Sequence, residues 1–242
     1  MKEVVIFTEG VGELIFIREM LILLIDNNDL SLECMDLRGE KFCHVPYKLL
    51  NPTAKTHFYV INVGCDERVL SVIKERGPGL LRSGKEIIGI RDMFSEQYKK
   101  CSNKIDPTII KQFCDSSDAV IQQLEGNDKV HLFFAIMELE AWFLSFFMVF
   151  ERLNSILTVD YIKKKLNYDL INNDPEITYF HPSVQFSQIL ELAKIKYGKH
   201  EGDYHKFIKQ FTSADVKDFI DKGFCDNLQK LLMEFYRLHA ES

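Results

Sequence analysis

The feature that most constrains the fold is a unit that repeats: a short apolar strand, a glycine turn, then a helix. It appears first in Val4-Val5-Ile6-Phe7-Thr8-Glu9-Gly10-Val11-Gly12-Glu13. Four apolar residues rich in β-branched types read as a buried strand, and apolar residues recur over 13–26 densely enough for a helix packed on a sheet. Gly10 and Gly12 let the backbone turn without a Cβ penalty. Glu9 then falls at the strand's carboxyl end and Glu13 in the first helical turn, so two carboxylates meet at the edge where open α/β sheets place their chemistry. The helix dipole, which favours acids at an N-terminus, would account for Glu13 without any function. No Gly-Lys-Ser/Thr follows, which argues against a P-loop, and an acidic turn suits a metal better than a bare phosphate.

The unit recurs at residues 58–64, followed by a helix over 66–76 that Asp66 would cap and Gly77-Pro78-Gly79 would break. Residues 86–93 form another apolar strand ending in Asp92, with Glu96 four residues on. After a helix over 107–124, residues 130–137 give a strand that runs into Glu138 and Glu140. With an alternating strand at 30–37, the expectation is an α/β sheet of about five strands. Residues 40–56, with Pro46 and Pro52 and little periodicity, read as a loop. A strand continuing through Glu138 and Glu140 would put both on one face; a helix starting there would splay them by about 200° and admit at most one to a site. We expect the strand to end near Glu138.

Beyond Asn154 the strand signals fade, and helical patterns occupy 159–166, 185–197, 203–211, 214–223 and 224–239. The organisation expected is an α/β domain over 1–152 and a helical C-terminal extension over 153–242 packed on it. At 242 residues and 46% hydrophobic, the chain can bury a full core. The apolar stretch 132–150 has the length of a membrane span, but Glu138 and Glu140 near its middle would each cost ~2.5 kcal/mol or more in lipid. It reads as a buried strand and helix, with no membrane partner. Six cysteines without a Cys-x-x-Cys pair, and no basic-then-apolar leader, suit reduced thiols in a cytoplasmic protein. Trp142 and the Phe143, Phe146, Phe147, Phe150 stripe read as core.

Three strands thus end in acids: Glu9 with Glu13, Asp92 with Glu96, and Glu138 with Glu140. Brought together, such an all-oxygen cluster suits Mg2+ or Mn2+, which can orient phosphate oxygens and activate water in phosphodiester cleavage. Thr-Glu-Gly-x-x-Glu at 8–13 and Ile-Arg-Asp at 90–92 resemble the topoisomerase-primase (Toprim) domain. The likeness extends to a stand-alone Toprim-like group of bacterial proteins of unknown function, related to phage-defence nucleases of the overcoming-lysogenization-defect type. Met137-Glu138-Leu139-Glu140-Ala141-Trp142 resembles that group's Glu-x-Glu-Ala segment, Pro182-Ser183 and Tyr197-Gly198-Lys199 its later motifs, and Cys225 the cysteine of its final helix. The resemblance implies a mostly parallel Toprim-like sheet flanked by helices, a metal-dependent nuclease in phage defence, and metal chemistry at Glu9 and Asp92. One departure stands out: where Toprim enzymes carry Asp-x-Asp, this chain reads Asp92-Met93-Phe94-Ser95-Glu96, so Glu96, Glu138 or Glu140 would have to supply the missing carboxylate.

The basic candidates lie later. Lys194, Lys196, Lys199, His200, His205, Lys206 and Lys209 cluster on and after one helix, with Tyr197 and Tyr204 interleaved. A solvated face explains such a run; so does contact with a nucleic-acid backbone, with Lys199, Lys194 and Lys206 on phosphates and Tyr197 stacking on a base. Arg91 could pair with the neighbouring carboxylates. The function expected is therefore nucleic-acid cleavage, with Glu9 and Asp92 catalytic and Glu13, Glu96, Glu138 and Glu140 as further metal ligands. The alternative is a non-catalytic nucleotide- or partner-binding subunit. A companion ATPase fits both, and a homo-oligomer is compatible with either.

Overall fold

In the computed structural model, which describes residues 1–65 and 68–241, the alternation of side chains along the first strand sorts two cores onto opposite faces of one sheet. The elements in order are β1 (Lys2–Thr8), α1 (Val11–Leu24), β2 (Leu30–Arg38), β3 (Lys41–His44), β4 (Thr56–Asn62), α2 (Arg68–Arg82), β5 (Glu86–Asp92), α3 (Glu96–Cys101), α4 (Pro107–Ile121) and β6 (Val130–Ala135). Only helices follow: α5 (Leu139–Ser145), α6 (Met148–Leu153), α7 (Val159–Leu166), α8 (Pro175–Thr178), α9 (Pro182–Leu192), α10 (Glu201–Ile208), α11 (Ser213–Lys222) and α12 (Asp226–Ala240). The sheet has six strands in the order β3-β2-β4-β1-β5-β6, all parallel except β3. The protein is an α/β fold. No described helix is long and apolar enough to cross a membrane.

Val4 and Ile6 of β1 join Phe58 and Val60 of β4 beneath α1, while Val5 and Phe7 join Ile61 and Val63 beneath α2. The larger core continues without a break from Val4 through Trp142, Phe143 and Phe150 to Leu231, Phe235 and Leu238, so the C-terminal helices complete one face of the sheet. Trp142, Phe143, Phe146 and Phe150 are fully buried, as their spacing suggests, whereas Phe147 is only partly buried at the edge of that core. The connections leaving β1 and β4 run in opposite directions across the sheet, one through α1 and the other through α2. Their helices therefore cover opposite faces, and a crevice opens at the carboxyl ends of the central strands.

Two local expectations need correction, and one short helix adds to them. Residues 41–44 form β3, an antiparallel edge strand on β2, because Gly39 at φ +61° closes a tight hairpin between Arg38 and Lys41. Gly77-Pro78-Gly79 does not break α2. Proline forfeits one helical hydrogen bond, and the helix continues because Val69, Val72, Ile73 and Gly77 are held against the sheet. Residues 96–101 form the short helix α3, started by Ser95, whose hydroxyl accepts from the Tyr98 N–H. The expected cap at Asp66 lies outside the described residues.

Candidate metal and phosphate site

Adjacent parallel strands deliver the acids to one edge. Thr8 pairs with Ile90 and Asp92 with Ala135, so Glu9, Asp92 and the residues after β6 emerge side by side. Glu13 reaches the same edge from the first turn of α1, its carboxylate tucked over Gly10, where a Cβ would lie 2.9 Å from Oε2. Glu9, Glu13, Glu138 and Glu140 are all buried. Asp92 is only partly covered as a residue, but its Oδ1 is buried and has no hydrogen-bond partner among the described residues.

Five carboxyl groups in one crevice repel one another, and their proton affinities record it. Burial first, then the charges of Glu13, Glu9 and Glu140, push Asp92 well above the usual carboxylate range. Glu13 is raised to about 7, by burial and then by Glu140. The counter-charge comes from Lys199, whose Nζ donates to Glu138 Oε1 at 2.9 Å and Glu140 Oε2 at 3.2 Å. Burial alone would favour the neutral amine, but the two glutamates more than offset it and hold Lys199 above the ordinary ammonium range. Burial raises Glu138 too, yet Lys199 and Ser183 outweigh it and leave this carboxyl below its ordinary value. For Glu140 burial wins over Lys199 and the Tyr197 hydroxyl, and the net shift is upward.

Both Glu138 and Glu140 join the site, contrary to the expectation that a helix start would admit only one. Glu138 is the N-cap of α5 with extended backbone (φ −140°, ψ 157°), so the helical rotation does not apply between the two. Met137, just before it, sits in the left-handed region at φ +70°, which re-aims the chain as it leaves β6. Lys199 has a left-handed backbone too, at φ +56°. Such conformations are costly for non-glycine residues, and here two of them flank one ion pair.

Other expected residues are placed differently. Glu96 is exposed on α3 and paired with Lys99 at 2.8 Å, away from the buried acids; the turn over 93–95 carries it outward. Phe94 stands in the second Asp-x-Asp position, its ring edge-on to Phe180 at 5.3 Å and His181 at 4.7 Å. Arg91 Nε lies 3.6 Å from Glu9 Oε1. Tyr197 is partly buried and already engaged: its hydroxyl donates to Glu140 at 2.5 Å and its ring packs edge-on to Phe186 at 4.8 Å. Lys194 and Lys206 are exposed, and neither makes an ion pair to the acids.

Two contributors escaped assignment from sequence. Ser183 donates from its hydroxyl to Glu138 at 2.8 Å and from its backbone N–H at 3.1 Å. Tyr204 packs its ring where a Cβ on Gly12 would lie 2.7 Å away, so that glycine is required by close approach. The Pro182-Ser183 motif and the Gly10-x-Gly12 turn were the visible signals.

Ligand atoms of three acidic, histidine or cysteine residues lie within 4.8 Å of one another at two other places among the described residues, and not at the strand-end cluster. In the first, Asp174, Glu176 and Cys225 satisfy themselves: Glu176 accepts from Trp142 Nε1 and Asn227 Nδ2, and Cys225 Sγ donates to Asp174 at 3.5 Å. Burial keeps the Cys225 thiol protonated. In the second, Glu86 and Glu234 are already bridged by Arg237, and Glu86 also meets Lys2. The strand-end cluster is wider than either, and Lys199 bridges two of its members. No family model, curated protein or solved structure matches the chain.

Proposed function

We propose that the strand-end acids hold Mg2+ or Mn2+ and that the protein cleaves phosphodiester bonds in DNA or RNA. The observation that carries this reading is the convergence of Glu9, Glu13, Asp92 and Glu140 with Lys199 in one crevice at the centre of a parallel sheet. The chemistry of the donors suits such an ion: all are carboxylate oxygens, and Asp92 Oδ1 is buried with no hydrogen bond to satisfy it among the described residues. Glu9 and Asp92 would be the principal ligands, supported by Glu13 and Glu140. Bound there, the ion would neutralise the carboxylates and polarise a phosphate oxygen. Glu9 would accept the proton of the attacking water, with Arg91 beside it holding its orientation. Lys199, fixed by Glu138 and Glu140, would keep a positive charge facing the phosphate backbone, and Tyr197 and Ser183 would hold those glutamates in place.

The test is cleavage of plasmid, single-stranded DNA and transfer RNA with Mg2+ or Mn2+. Asp92→Asn and Glu9→Gln should each lower the rate by about a hundredfold or more while leaving the fold intact by circular dichroism. Cutting at the wild-type rate in both variants overturns the assignment. A second reading has its own observation. Phe94 replaces a carboxylate with a ring packed against Phe180, which removes one ligand from the Toprim pattern. In that reading the acidic edge binds a nucleotide or partner without turnover, and wild type binds a labelled nucleotide yet cuts none of the three substrates. The phage-defence setting, and a companion ATPase, are proposed from the resemblance alone.

A further inference from the structure

We propose that a pocket beside Arg91, between α2 and α3, seats a phosphate of the substrate strand next to the one held in the acidic crevice. The inference rests on the reading of that crevice as a phosphodiester site and adds a second contact to it. Alternation along β5 is the starting point. Ile88 and Ile90 face the α1 side of the sheet, whereas Ile87 and Arg91 face the α2 side. There Arg91 lines a pocket of about 330 Å³ with Leu70, Ser71 and Lys74 of α2, Gln97 of α3 and Val120 of α4.

The lining has one chemical character. Leu70 and Val120 are apolar, the four polar side chains all offer donors, and among the described residues no carboxylate lines the pocket. In a chain of net charge −6 this is a local exception, and an anion is the ligand it suits. Other cations of the same three helices are taken by acids: Arg76 by Glu75, Lys99 by Glu96 and Lys111 by Asp115. Lys74 is exposed and pairs with no acid among the described residues.

Arg91 joins the pocket to the acids. Its side chain is 12% exposed, with Nε 3.6 Å from Glu9 Oε1 and the guanidinium carbon 5.7 Å from the centre of the Phe134 ring. A guanidinium carries five N–H donors in a fixed plane, enough to serve a carboxylate and a phosphate oxygen together. The placement also gives the strand a path. Lys199 leads into α10, which packs on α1, whereas Lys74 belongs to α2 on the other face. Positive charge therefore flanks the acidic edge on both sides of the sheet, and a strand laid across it meets a cation before and after the crevice. Only a polynucleotide has phosphates on both sides of the one cleaved, so the substrate is a strand and not a mononucleotide.

The test is the anisotropy of a fluorescein-labelled single-stranded oligonucleotide in EDTA, where no metal-dependent cutting occurs, across a salt series. Lys74→Glu, at an exposed position, should raise the dissociation constant about tenfold or more and lower the slope of log affinity against log salt by about 0.7. Lys230→Glu, an equal change of charge on α12, should leave binding within about twofold of wild type. Gln97→Ala removes a neutral donor and should weaken binding about threefold with the slope unchanged. If Lys74→Glu binds no worse than Lys230→Glu, the proposal is overturned, and a wild type that still cuts keeps the crevice reading in place. If binding depends on Lys74 but wild type cuts nothing with Mg2+ or Mn2+, the cleavage reading fails and the pocket stands. Wild type that binds no strand overturns the proposal as well.

Discussion

Lys199 is the residue that lets two glutamates be buried side by side. Its ammonium stands between Glu138 and Glu140, and among the described residues no other lysine or arginine pairs with either of them. Removing one partner of a buried ion pair strands the other charge, so Lys199→Met should destabilise the protein. The loss should be about 1–3 kcal/mol by urea unfolding, below the figure for a fully buried pair because Lys199 is 44% exposed. Glu176 makes a separate case, with its own partners in Trp142 and Asn227. It is buried under Trp142, and desolvation raises its pKa from 4.5 to about 7. Below pH 4.5 both folded and unfolded chains keep this proton, and the group contributes its full stability. Between 4.5 and about 7 only the unfolded chain ionises, so stability falls as pH rises and levels off above the folded-state value. Glu176→Gln keeps the acceptor for Trp142 and has no proton to lose. It should flatten that part of the pH profile, by up to about 3 kcal/mol near neutrality, in chemical denaturation at stepped pH.

At the scale of elements, α1 and α10 approach closely only because residue 12 has no side chain. Gly12→Ala would place a methyl 2.7 Å from the Tyr204 ring, and that ring is wedged against Tyr197 and Phe143. The expected cost is about 1–3 kcal/mol of stability in thermal or urea unfolding. The same shift would move Tyr197 and loosen its hold on Glu140, so the proposed cleavage activity should fall as well. Helix α2 makes the opposite prediction. Pro78 interrupts its hydrogen bonding at a half-exposed position, so Pro78→Ala restores a bond and should stabilise by about 1–2 kcal/mol, after the added freedom of the unfolded chain is counted. A midpoint that falls would mean that proline sets a bend the sheet needs. The turn after β6 is held on several sides: Met137 is fully buried and left-handed, and its carbonyl accepts from the Phe94 N–H at 2.7 Å. That bond ties the exits of β5 and β6 together.

On the scale of the whole molecule, what could be read from residues alone was what depends on near neighbours. Runs such as Val4–Phe7 and Ile87–Ile90 are continuously apolar because these strands are buried on both faces, and the helices that follow betray themselves by caps and spacing. That determined an α/β chain with acids at strand ends, and it marked Glu9, Asp92 and Glu140 as residues worth watching. Other features were decided by tertiary packing. The proline in α2 was outvoted by contacts with the sheet, and β3 formed because a glycine hairpin could lay residues 41–44 on β2, with Phe42 packed against the core. Glu96 and Glu138 carry the same side chain, and both were candidates by spacing. One is in water beside Lys99, and the other is buried under Lys199, sixty-one residues further on. A sequence orders residues along the chain, and local propensity follows that order. Which carboxylate shares a crevice with which lysine depends on strand order and on the turn at Met137, which arise only when distant segments bury their apolar faces together.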